Sequence, residues 1–185
     1  MRYLLLATWV GWLVYWGIAA RGAKPMQWRE PLRAQWLHNA LVWLGVIILV
    51  VPLASPAILA APFLPPSTIG SVSGLAVTAL GLALAIAART YLAGNWSAAV
   101  EIKEGHALIR SGPYRYVRHP IYSGLLLALL GTAVALDRWR AVVAFALIFV
   151  ALLLKSRHEE SRLRRALPDY ATYARETAAL IPFLL

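Results

Sequence analysis

Three of the four histidines, His106, His119 and His158, lie in two polar stretches of an otherwise apolar chain, together with most of its eight acidic residues. The first stretch, the loop of residues 89–118, runs on through His119 into the next apolar block as Ser111-Gly-Pro-Tyr-Arg-Tyr-Val-Arg-His-Pro-Ile-Tyr-Ser-Gly124. Ser-Gly-Pro is a turn. Pro120 suits the first position of a helix, where its fixed φ and missing N–H cost nothing. His119 then sits at the N-cap, beside unsatisfied N–H groups and a positive helix end that favour an anion such as a carboxylate. Gly124, one turn in, would let a ligand approach the backbone closely. The second stretch opens Lys155-Ser-Arg157-His158-Glu159-Glu160 after the last apolar block. Acids are unfavourable at a helix C-terminus, so the helix is expected to continue, and Glu160, Leu163, Leu167 and Tyr170 keep a weak stripe for it. The acids have two readings, a solvated face paired with Arg162, Arg164 and Arg165, or half of a site. In the second reading the site would take a zwitterion, its carboxylate at the start of the fourth apolar block and its amine at Glu159 or Glu160.

Other chemistries lack their residues. With no cysteine there is no disulfide, thiolate nucleophile or Cys-ligated metal. The histidines and Glu159-Glu160 form no HExxH or HxxxH spacing, so no metal is expected. GxSxG, GxGxxG and Walker loops are absent as well, which argues against a Ser-His hydrolase and a soluble-type nucleotide fold.

The elements that must position these residues are membrane helices. Hydrophobic residues make up 61% and charged residues 14%, against about half and a quarter in soluble domains. The excess falls in five blocks: Tyr3–Ala20, Trp36–Leu59, Ile69–Ala88, Ile121–Leu136 and Trp139–Leu154. The first three reach the roughly 20 residues that span a bilayer; the last two are expected to form a short helical hairpin turning at Asp137-Arg138. The fold class is therefore all-α, a polytopic bundle of about five helices. Residues 1–68 would supply two spans and their loops, and residues 69–185 a core of three spans, the long loop and the tail. A cleaved signal peptide is not expected, because Arg2 is the only charge before a long, Trp-rich apolar stretch.

The formal charge of +10 flanks apolar blocks instead of forming one patch, which points to membrane lipids and not nucleic acid. The first loop, the third loop and the tail hold 15 of the 18 basic residues. With five spans these segments share one side, cytoplasmic by the positive-inside rule, with the N-terminus outside. Gly70 and Gly74 at GxxxG spacing, then Gly81 and Ala85, suit a dimer face or close packing inside the bundle; packing is expected, and a homodimer is not predicted.

Taken jointly, Asn95-Trp-Ser97, Lys103, His106-Ala107-Leu108-Ile109, the segment Ser111–Gly124, Arg157-His-Glu159-Glu160, Tyr170-x-x-Tyr173 and Ile181-Pro-Phe183 resemble the isoprenylcysteine carboxyl methyltransferase family. The wider group, including phospholipid methyltransferases, shares the RHPxYxG…EE pattern. The resemblance covers roughly residues 80–183; the first two spans match only as membrane helices. It implies a cytoplasmic pocket for S-adenosylmethionine, with S-adenosylhomocysteine as product. His106, Ala107, Leu108, Ile109, Tyr114, His119, Pro120, Tyr122 and Glu159 or Glu160 would line that pocket. It also implies a basic residue that positions a lipidic or prenylated acceptor, Arg157 with Lys155 as the second choice, and Glu159 beside it in catalysis. Ala166-Leu-Pro-Asp169 replaces the family's Phe-Gly turn, which leaves the local register of the tail open. Carboxyl methylation of an isoprenylcysteine-like acceptor is the expectation. Phospholipid N-methylation, an NADPH-dependent membrane reductase and a small transporter are the alternatives, the last disfavoured by spans nearly free of ionisable residues.

Overall fold

The computed structural model describes residues 1–21, 26–29, 32–51, 57–92, 101–103 and 108–182. Its helices are α1 (Arg2–Ala20), α2 (Leu32–Val50), α3 (Ala57–Ala60), α4 (Thr68–Leu92), α5 (Pro120–Leu136), α6 (Trp139–Ala166) and α7 (Tyr170–Glu176). Helices α1, α4 and α6 are long and apolar enough to cross a membrane, while Gln35–Val50 of α2 and Pro120–Leu136 are shorter apolar helices. The chain is thus a membrane helix bundle. The expected bounds need two corrections. Helix α2, at 19 residues as long as α1, stops at Val50, just before Pro52, where the apolar block was expected to run to about Leu59. The last block is not short: α6 runs 28 residues, about 42 Å at 1.5 Å each, well beyond a hydrocarbon core of about 30 Å. Residues 155–166 contain neither Gly nor Pro and are rich in helix formers, so nothing breaks the helix. It ends at Leu167, held extended before Pro168 as a residue preceding proline prefers.

The turn between α5 and α6 falls at Asp137-Arg138, as expected. Asp137 takes a left-handed conformation, φ 47°, which a short polar side chain tolerates. Its Oδ1 accepts the N–H groups of Phe63 and Leu64, at 3.1 and 2.8 Å, tying the segment between α3 and α4 to the turn.

Helices α4 and α5 pack at backbone contact. A Cβ added at Gly74 would lie 2.4 Å from Ala135 N, and one at Gly81 would lie 2.4 Å from Ala128 N. Gly124 and Gly131 press back against Ala85 and Thr78. Small residues permit this approach where lipid offers no hydrophobic drive for helix association. Thr78 Oγ1 adds a bond to Gly74 O and one across the seam to Ala128 O. The expected packing role therefore holds for Gly74, Gly81 and Ala85, whereas Gly70 lies outside the seam and meets only Ser67. Gly124 makes room for α4, not for a ligand.

Helix α1 lies outside this pair with Leu5 its only buried residue, and Trp9 Nε1 donates to Thr132 Oγ1 at 3.0 Å. In the polar loops, β1 (Met26–Arg29) pairs antiparallel with β2 (Glu101–Lys103). This short pairing, which the apolar pattern does not announce, brings the first and third loops to the same end of the bundle.

Candidate functional site

The start of α5 and the extension of α6 meet at that polar end. His119 is the N-cap of α5 and Pro120 its first residue, but the imidazole makes no capping bond. It turns instead to α6, with Nδ1 3.4 Å from Glu159 Oε2 and Nε2 3.4 Å from Glu160 Oε1. Adjacent residues on a helix point about 100° apart, so the acid pair flanks the ring. Tyr122, one turn on, stacks on His119 with centroids 5.3 Å apart, and its hydroxyl donates to Glu159 Oε1 at 2.6 Å. Arg118 Nε donates to Glu160 Oε1 at 2.7 Å, and Arg164 lies 3.7 Å from the other oxygen of Glu160. The solvated-face reading therefore describes only one oxygen of Glu160; the rest of the pair faces inward.

Burial disfavours a charged imidazole, but the carboxylates of Glu159 and Glu160 outweigh it and raise the pKa of His119 above its ordinary value. His119 Nε2 is nevertheless buried without a hydrogen-bond acceptor among the described residues: its separation from Glu160 suits charge attraction and not a good hydrogen bond.

Beside this cluster lies an aromatic wall. Tyr114 and Ile121 are buried with Ala88, and Trp16, Leu92, Ile109, Tyr122 and Leu125 pack against them. Tyr114 follows the Ser-Gly-Pro turn, where Gly112 has φ 58° and a Cβ would meet the Tyr91 ring at 2.4 Å; only glycine fits there. The backbone carbonyl of Tyr114 accepts the Tyr173 hydroxyl at 2.7 Å. Burial pushes the Tyr114 hydroxyl above the usual tyrosine range, so it stays protonated.

Of the residues singled out in the sequence, His119, Tyr122, Glu159 and Glu160 come together, with Pro120, Tyr114 and Ile109 next to them. Leu108 is half-buried. His106 and Ala107 lie outside the described residues. Arg157 and His158 are exposed, and Arg157, two residues before Glu159, points about 200° round the helix from it. Lys155, one turn before Glu159, lies with Nζ 5.5 Å over the Tyr122 ring. Of the two basic residues weighed for the acceptor, Arg157 and Lys155, the one brought to the cluster is therefore Lys155.

Arg118, which the motif contains without an assigned role, joins three elements. Besides Glu160, its Nη1 donates to the carbonyls of Ala174, at 2.9 Å, and Thr177. Its position directly before His119 was the available hint. The C-terminal segment completes the frame: Arg118 N donates to Ala178 O at 2.9 Å and His119 N to Ala179 O at 3.0 Å, Ser123 Oγ donates to Leu180 O, and Leu180 is fully buried.

A zwitterion carrying an adenosyl group needs a carboxylate for its amine, N–H donors for its carboxylate and an apolar wall for its rings. The cluster offers Glu159, the unsatisfied Nε2 of His119, and Ile109, Tyr114 and Tyr122. Among the described residues no group of three His, Asp or Glu could hold a metal ion.

Residues 74–165, which contain the whole His119–Glu160 cluster, match the model of the isoprenylcysteine carboxyl methyltransferase family. The cobalt-zinc-cadmium resistance protein CzcN of Cupriavidus metallidurans is 35% identical over 109 residues, 57% of this chain and 47% of that protein. A probable protein-S-isoprenylcysteine O-methyltransferase of Oryza sativa subsp. indica is 36% identical over 87 residues, 46% of each chain. Protein-S-isoprenylcysteine O-methyltransferase A of Arabidopsis thaliana is 35% identical over 89 residues, 46% of this chain and 44% of that one. The chain spans about half the length of the curated relatives it matches. With the joint motif and the family model falling on the same helices, the chain belongs to the isoprenylcysteine carboxyl methyltransferase family.

Proposed function

We propose that the chain is an integral membrane methyltransferase that uses S-adenosylmethionine to methylate the carboxylate of an isoprenylcysteine-like, lipidic acceptor at the cytoplasmic face. The observation that carries this reading is the cluster in which Glu159 and Glu160 enclose His119 at the membrane end of α5 and α6. Glu159 would hold the cofactor's amine, His119 its carboxylate, and Ile109, Tyr114 and Tyr122 its rings. His106 to Leu108, Pro120 and Glu160 remain assigned to the same pocket. When bound, the cofactor would supply a methyl group on a sulfonium, already a good leaving group.

The residues' own task is then alignment and exclusion of water. Lys155, on the Glu159 side of α6, is proposed to orient the acceptor carboxylate in place of the exposed Arg157. An ionised carboxylate attacks without losing a proton, whereas a lipid ammonium would need a base. His119 and Glu159 are both poor candidates for that base, because the two carboxylates favour the protonated ring and, against the burial of Glu159, its partners, His119 first, hold its pKa below the ordinary carboxylate value. This favours carboxyl over amine methylation. The other wall is lipid-facing: α1 exposes most of its length, which suits entry of a prenyl chain between helices.

Thermal denaturation of the purified protein with S-adenosylhomocysteine, NADPH or neither tests the reading. Stabilisation by S-adenosylhomocysteine alone is expected. Stabilisation by NADPH alone, or by neither, overturns it. Turnover of an S-prenylated cysteine, but not of its carboxamide, tests the acceptor.

A further inference from the structure

Arg2, Arg138 and Arg140 stand apart from the other basic residues. They are the three that the loop-charge pattern leaves at the far end of the bundle. Helix α5, 17 residues long, separates that end from His119 by about 25 Å. There a cavity of about 660 Å³ opens between the start of α1, the segment leading into α4 and the turn between α5 and α6, and Arg2, Arg138, Ser67, Thr68 and Gly70 help to line it. Its volume is that of a small-ligand site.

The electrostatics of this end are incomplete. Helices α1, α4 and α6 all begin here, and none has an acid in its first turn. Helix α1 carries Arg2 there and α6 carries Arg140, with Arg138 as its N-cap, the reverse of what a positive helix end favours. Helices α2 and α5 return carbonyl ends to the same face, and Arg138 Nη1 takes Asp137 O at 2.7 Å. A guanidinium has about five N–H donors, and among the described residues Asp137 O is the acceptor recorded for Arg138. Asp137, an acid that also lines the cavity, spends Oδ1 on the backbone of Phe63 and Leu64 and stands next to Arg138, so two arginines face one carboxylate there. Arg140 Nε is buried without an acceptor among the described residues.

We propose that this cavity binds the phosphate of an anionic phospholipid headgroup, in the leaflet opposite the His119 cluster. A lipid is favoured over a free anion because Leu64 on the cavity wall and Ile69 beside it are 41% and 81% exposed, an apolar rim on which acyl chains can lie. The site is independent of the methyltransferase reading.

The test is thermal denaturation of the full chain in neutral detergent, titrated with phosphatidylglycerol, phosphatidylcholine or sodium phosphate. Phosphatidylglycerol should raise Tm at least several-fold more than phosphatidylcholine. The double variant Arg2→Gln/Arg138→Gln should lose more than half of that shift with unchanged helical circular dichroism. Gly70→Phe keeps every arginine and fills the cavity mouth, where an added Cβ meets nothing nearer than Ser67 at 3.6 Å; it should lose the shift too. Equal shifts from the two lipids, or a phosphatidylglycerol shift that survives in both variants, would overturn the proposal. So would a shift of the same size from millimolar phosphate, which would make the site one for a free anion.

Discussion

At the scale of single residues, Glu159 is the side chain on which the site turns. Its oxygens meet Tyr122 and His119, and it is the proposed partner of the cofactor's amine. A hydrogen bond to a charged group contributes about 1.5–3 kcal/mol, so Glu159→Gln should weaken S-adenosylhomocysteine binding roughly 10- to 100-fold in calorimetry. Arg157→Ala should leave KM for the acceptor within about threefold, and a larger rise would return Arg157 to the site. Lys155→Ala should raise KM for the acceptor with little change in cofactor affinity. His119 supplies a pH test. Its folded pKa is raised, so its contribution to stability is complete below its unfolded value and is lost as pH rises through the folded one. Tm should therefore fall from about pH 6.5 upward, and His119→Asn should flatten that slope; an identical slope in the variant would remove His119 as its source. The histidine and the acid pair were legible because their residue types and helix-end positions carry chemistry. The facing of Arg157 was not, because a preference between two basic residues on one helix depends on its rotation, which packing against α5 sets.

At the scale of elements, the seam between α4 and α5 positions His119, since α5 is held against α4 by backbone-level contacts at Gly74, Gly81, Gly124 and Gly131. Gly81→Ala places a Cβ 2.4 Å from Ala128 N and must force the helices apart; overpacking of this kind costs about 1–3 kcal/mol. Gly70→Ala meets only open space and Ser67, so it should leave Tm unchanged or slightly raised. Thermal denaturation of the two variants side by side separates seam from surface, and an equal loss would contradict the packing described. The spacing of small residues predicted a packed face but not its partner, because glycine spacing looks alike whether the neighbour is α5 or a second copy. The length of α6 was underestimated for a related reason: hydropathy marks where lipid ends, while the helix runs on until Pro168 stops it. The pairing of β1 with β2 was invisible, since its strands are four and three residues long, too short for the alternation in Met26-Gln-Trp-Arg29 and Glu101-Ile-Lys103 to stand out from a polar loop.

At the scale of the whole molecule, the question is which side of the membrane each end faces. The pairing of β1 with β2 joins the first and third loops, and the extension of α6 meets the start of α5 through Glu159 and Glu160. The segments rich in Lys and Arg therefore gather at one end, as an odd number of spans requires. The positive-inside rule would make that end cytoplasmic. The chain contains no cysteine, so single cysteines report their side without background. Ser161→Cys lies on the exposed face of the α6 extension and Thr68→Cys at the exposed start of α4. In intact cells, a membrane-impermeant maleimide should label Thr68→Cys at once and Ser161→Cys only after permeabilisation. The opposite pattern would turn the bundle over and move the proposed site out of reach of cytoplasmic S-adenosylmethionine. Labelling of both in intact cells would contradict the membrane path itself, because α4 and α6 would then no longer separate the two ends.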